Sequence, residues 1–108
     1  MDKEALFTPR IEQDKVELPG VGTVIVRGLT RWELLTAGKV ADKGPLYMER
    51  AMLAFAMVDP KLTEDEVARW QKASPGAEMM PVIQKINELS GVTQGASKSD
   101  LPSDGDEP

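Results

Sequence analysis

The chain contains no cysteine and no histidine. The first absence excludes disulfides and thiolate chemistry and fits a reducing compartment. The second removes the usual zinc ligand and the commonest general base. Aromatic residues make up only 5% of the 108 positions, so aliphatic side chains and six methionines must fill most of any core. No apolar run approaches the roughly 20 residues needed to cross a bilayer. The charged start, Met1-Asp2-Lys3-Glu4, leads into no long apolar segment, which predicts no secretory leader and a cytosolic protein. Positive charge is outnumbered, with 13 Lys and Arg against 18 Asp and Glu and a net charge of −5. That balance repels a phosphate backbone. A hydrophobic content of 41% suits one domain with one modest core.

Hydrophobic periodicity divides the chain into an N-terminal arm (1–14), a hairpin-plus-helix domain (15–91) and an acidic tail (92–108). The arm is polar, and Pro9 argues against helix there. Lys15 to Arg27 reads as a β-hairpin: Val16 and Leu18 alternate with charged residues, Thr23-Val24-Ile25-Val26 is β-branched, and Pro19-Gly20-Val21-Gly22 supplies the reversal. Thr30-Arg31-Trp32-Glu33 matches a capping box and predicts a helix over 31–40. Leu46 to Val58 is the most apolar stretch and predicts a central, buried helix stopped by Asp59-Pro60. Thr63-Glu64-Asp65-Glu66 is a second capping box, opening a helix over 64–73. Met79, Val82, Ile83, Ile86 and Leu89 form an amphipathic stripe on a last helix, 77–90, with Pro81 in its first turns and Gly91 placed for a left-handed cap. The sum is a mainly α protein: a small hairpin packed on about four short helices, followed by a disordered tail. That tail carries a net −3, leaving −2 for the rest.

The residues that chemistry would need are missing or misplaced. Gly20-Val21-Gly22 lies between two strands rather than at a helix N-terminus, so it reads as a turn and not a phosphate cradle. Gly38-Lys39 is followed by Val40 and lacks the earlier glycine of a P-loop. Glu64, Asp65 and Glu66 lack the alternating ligands and central glycine of a calcium loop, and acids in a first helical turn follow from the helix dipole. Ser97-Lys98-Ser99 falls in the tail, where no geometry is held. The sequence therefore predicts neither an enzyme nor a cofactor or metal site.

Methionine is the feature with two readings. Met48, Met52, Met57, Met79 and Met80 sit on the two most apolar helices. As gap-fillers they complete a core poor in aromatics; as exposed side chains they make an adaptable binding surface. Met79 and Met80 are adjacent and cannot both face inward, and Met80 lies off the apolar stripe. Met48, Met52, Phe55, Trp70 and Met80 are the candidate partner-binding residues.

The order of segments carries a resemblance. Val24-Ile25-Val26-Arg27-Gly28-Leu29-Thr30-Arg31-Trp32-Glu33 fits V-x-V-R-x-L-T-R-x-E, residues 60–66 fit P-x-L-T-x-x-E, and residues 86–91 fit I-x-x-L-S-G. In this order and spacing, over about residues 15 to 91, they resemble the tail assembly chaperones of long-tailed bacteriophages. The resemblance implies a non-enzymatic protein that binds the tape measure protein and keeps it soluble until the tail tube assembles around it. It implies the tail tube protein as a second partner, no nucleic acid or membrane, residence in the host cytoplasm during assembly, and absence from the mature virion. Many such proteins are made in two forms by ribosomal frameshifting, and the segment from Gly91 onward would be the end of the short form. A homo-oligomer is compatible with the sequence. The alternatives are a phage structural part, such as a tail completion or connector protein, and a small regulatory or nucleic-acid-binding module. The last would need a basic face, and Glu33 and Asp42 interrupt the cluster of Arg27, Arg31, Lys39 and Lys43.

Overall fold

Alternation sets the first half of the fold. Val16, Leu18, Val24 and Val26 are buried, while Lys15, Glu17 and Thr23 are exposed. In the computed structural model, which describes residues 1–92, this pattern makes strands β1 (Gln13–Leu18) and β2 (Gly22–Arg27). They pair antiparallel with Val16 opposite Val24 and Gln13 opposite Arg27. The turn closes with the Val21 N–H donating to the Leu18 carbonyl at 2.9 Å. Gly20 at φ 78° takes the left-handed conformation that a side chain would resist.

Before the hairpin, one helical turn forms, α1 (Glu4–Phe7), although Pro9 argued against helix in the arm. Proline blocks a helix at its own position and at the residue before it, not a turn that ends earlier. The Arg10 guanidinium donates to the carbonyls of Ala5 and Thr8 at 2.7 and 2.9 Å and so occupies acceptors that the short helix leaves free.

After β2 the chain enters α2 (Arg31–Gly38) through a complete capping box: the Glu33 N–H donates to Thr30 Oγ1 and the Thr30 N–H to Glu33 Oε1. A 3-10 turn (Ala41–Lys43) leads to α3 (Pro45–Ala56), which has proline in its first turn, where no N–H is missed. Residues 57–59 form a third strand, β3 (Met57–Asp59), paired antiparallel with β2. Two more helices follow: α4 (Glu64–Ala73), with its own complete capping box, and α5 (Met80–Leu89).

The expectation of a mainly α protein is therefore corrected. Among the described residues the protein is mixed α/β, with five α-helices and one antiparallel sheet of order β1-β2-β3. The difference lies at the end of the apolar run, where the helix stops at Ala56 instead of continuing to Val58. Asp59, before Pro60, is steered out of the α region, and the open edge of β2 offers ladder partners to the residues just before it. Met57 then faces the core and is essentially buried. The ladder slips by one residue between Ile25 and Val26, as at a bulge. The last helix starts at Met80 rather than Ala77, with Pro81 in its first turn, and Gly91 after it has φ 83°, the left-handed cap. Of the acidic tail, residues 93–108 lie outside the described residues.

The core gathers the inward residues of the sheet with Leu53, Ala56, Val67, Met79, Val82 and Ile86. Helix α5 packs on β1 and β2, whereas α3 packs on α2, the 3-10 turn and α4. At Gly28 the end of β2 touches the backbone at the end of α5, and the Leu29 N–H donates to Ser90 Oγ at 2.7 Å. These separate commitments leave a seam between α3 and α5. Among the described residues no helix is long and apolar enough to cross a membrane.

Candidate functional site

The seam is an apolar groove. Met48, Met52 and Phe55 follow one another at i, i+4 and i+7 on α3 and so share a stripe. Met48 and Met52, with Pro45 and Leu53, form one wall of a cleft of about 150 Å³, and Ile83 and Ile86 of α5 form the other. An adjoining depression of about 240 Å³ is lined by Leu46, Gln71, Met79 and Met80 together with the loop Ser74-Pro75-Gly76. The two share Glu49 and Ile83 and therefore run together. Leu46 and Met80 stand at the rim, 48% and 52% exposed, while Met79 is turned into the core. The polar wall is fixed in place: Gln71 of α4 donates to Glu49 Oε1 at 2.8 Å and accepts from Arg50 Nε at 2.7 Å. The Arg50 guanidinium also lies 5.0 Å from the centre of the Tyr47 ring.

Three of the five candidate residues, Met48, Met52 and Met80, thus line one continuous groove. Phe55 lies beyond its end on the same helical stripe. Its ring meets the ring of Trp32 edge-on, with centroids 6.1 Å apart and planes at 68°. Trp70 belongs elsewhere. It borders a depression of about 230 Å³ among Leu18, Val21, Val24, Met57, Pro60, Leu62 and Glu66, and its indole N–H donates to Glu78 Oε2 at 2.9 Å.

Trp32 and Leu35 were not singled out from the sequence, yet they are 67% and 56% exposed and extend the apolar surface past Phe55. Helix α2 has apolar residues on several sides. It turns Ala37 into the core and packs Leu34 against it. Trp32 and Leu35 share the three-residue spacing of Leu34 and Ala37, so spacing alone offers two equivalent faces and only the packing of α2 turns the first pair out.

No family model, curated protein or solved structure matches the chain. The functional reading rests on the residues and on the geometry of the groove.

The ion pairs lie away from the groove. Arg27 forks onto Glu33 through Nη1–Oε1 at 2.9 Å and Nη2–Oε2 at 2.7 Å. This bond is the main reason that the Glu33 carboxyl is held below its ordinary pKa and the Arg27 guanidinium above its own. Arg27 is therefore committed, and the basic cluster read from the sequence loses its first member. Lys85 reaches Glu88 at 3.3 Å and Asp14 at 3.4 Å. Its pKa is raised, first by Glu88, and that of Asp14 is lowered, first by the Lys15 N–H and then by Lys85. Among the described residues no group of three or more acidic side chains is placed to hold a metal ion.

Proposed function

We propose that this protein is a phage tail assembly chaperone that binds the tape measure protein and keeps it soluble for tail tube assembly. One observation carries the reading: the groove between α3 and α5 is open, apolar and lined by methionines. A tape measure chain is helical and presents long apolar stripes. An amphipathic helix lays such a stripe into a groove by fitting its i, i+3, i+4 and i+7 side chains, and methionine adapts to the varied residues of successive stripes. Affinity per site is modest, so tube subunits can displace the chaperone, and many copies cover one client. The order of the V-x-V-R-x-L-T-R-x-E, P-x-L-T-x-x-E and I-x-x-L-S-G segments supports the same reading. The protein acts without cofactor or catalysis in the host cytoplasm, with the tail tube protein as its second contact.

Co-expression with the tape measure protein tests the proposal. The wild-type chain should keep the client in the supernatant and co-purify with it, and Met80→Asp, which places a charge at the groove rim, should lose both effects. A client that stays insoluble with wild type, or one that is rescued equally by Met80→Asp, refutes the reading. Mass spectrometry of purified virions should detect no copies, whereas a connector or completion protein would be retained.

A further inference from the structure

Strand β1 is an open edge. The sheet order places β2 on one side of it and, among the described residues, no strand on the other. The Gly28 N–H donates to the Glu12 carbonyl at 3.1 Å, so the even-numbered residues of this strand direct their backbone groups toward β2. The odd-numbered residues, Gln13, Lys15 and Glu17, direct theirs outward, and their side chains are exposed as well. The outward Lys15 N–H is held by the neighbouring Asp14 carboxylate at 2.8 Å, a local partner standing in for a missing strand.

A second copy meets this edge antiparallel only in registers that set odd residues opposite odd residues. A two-fold axis at Asp14, Lys15 or Glu17 brings Asp against Asp, Lys against Lys or Glu against Glu. An axis at Val16 instead brings Lys15 of each copy opposite Glu17 of the other, with Val16 against Val16. A lysine in mid-edge normally keeps other strands away. Here its own sequence supplies the complementary charge in one register, and like charges penalise the neighbouring ones.

We infer that β1 is a self-association site at which two copies of this chain join edge to edge, antiparallel about Val16, and double the sheet. Lys15 and Glu17 exchange backbone hydrogen bonds across the axis, and their side chains form two ion pairs. Asp14 gives up the Lys15 N–H and keeps Lys85, 3.4 Å away. The groove residues Met48, Met52 and Met80 are not on this strand, so self-association and client binding are separate readouts.

Sedimentation velocity of the full chain over a concentration series tests the inference. Wild type should show a monomer–dimer equilibrium that weakens with added salt. Lys15→Glu and Glu17→Lys each turn two opposite-charge pairs into like-charge pairs and should raise the dimer dissociation constant about tenfold. The double variant Lys15→Glu/Glu17→Lys restores complementarity with the signs exchanged and should return the constant to within about threefold of wild type. Both side chains are exposed, so the far-UV circular dichroism of all variants should match. A wild-type chain that stays monomeric up to about 1 mM overturns the inference. So does a dimer insensitive to the single reversals, or one that the double reversal does not restore.

Discussion

Adding one methyl group at Gly28 tests how α5, and with it one wall of the groove, is held in place. A Cβ there would press into the carbonyl of Leu89 and stand 2.8 Å from the Ser90 nitrogen. All these atoms are backbone, so no rotamer change relieves the contact. Overpacking a core costs about 1–3 kcal/mol, and rigid surroundings put this site near the upper end. Pushing α5 away also threatens the 2.7 Å bond from the Leu29 N–H to Ser90 Oγ, worth about 1 kcal/mol. The expected loss for Gly28→Ala is therefore about 3–4 kcal/mol, a large share of the stability of any small domain. With a urea m-value of about 1 kcal/mol/M, the unfolding midpoint should fall by about 3 M. Gly38→Ala is the matched control: nothing lies within 4 Å of its added Cβ, and at the end of α2 alanine should gain up to about 1 kcal/mol. If equilibrium urea unfolding places Gly28→Ala within about 0.5 kcal/mol of wild type, the close approach of β2 to α5 is not what positions the helix.

Further outcomes follow from other contacts. Glu33→Gln should cost about 1 kcal/mol, because it removes the charge from a forked pair that also serves a helix cap. The Glu33 pKa is depressed in the folded protein, so its contribution is complete above the ordinary glutamate value of about 4.3 and is lost as pH falls through the lower folded value. The stability gap between wild type and Glu33→Gln should therefore close in acid, and a gap that stays constant in pH-dependent melts would contradict the assignment. Thr63→Ala removes the cap of α4 and should lower stability by about 1 kcal/mol in urea titrations. Adjacent methionines should respond oppositely to aspartate: Met80→Asp should leave the thermal midpoint nearly unchanged, and Met79→Asp should unfold the domain by burying an unpaired charge.

Local signals were the most legible in the sequence. Helix α4 begins and ends where its capping box and Ser74-Pro75-Gly76 place it, because those determinants lie within a few residues of each boundary. The hairpin follows from alternation and its glycine turn in the same way. Strand β3 was not legible, because Met57 and Val58 continue the apolar run of α3 and only the neighbouring edge of β2 makes them a strand. The groove was legible in part. The stripe Met48–Met52–Phe55 can be read from spacing, but the partner wall, Ile83 and Ile86, depends on α5 being committed to the sheet. Trp70 shares a helix face with Val67, and nothing local indicates that this face looks toward the hairpin turn rather than toward the groove of Met48, Met52 and Met80.

The two indoles sit in contrasting surroundings on separate parts of the molecule, Trp32 open to water beside Phe55 and Trp70 partly covered and bonded to Glu78. With no other tryptophan in the chain, the exposure of the two side chains predicts a red-shifted emission that iodide quenches from Trp32 and a bluer, better shielded one from Trp70. A partner that covers the Trp32–Phe55 surface should alter the first emission and one that fills the depression beside Trp70 the second, without any label.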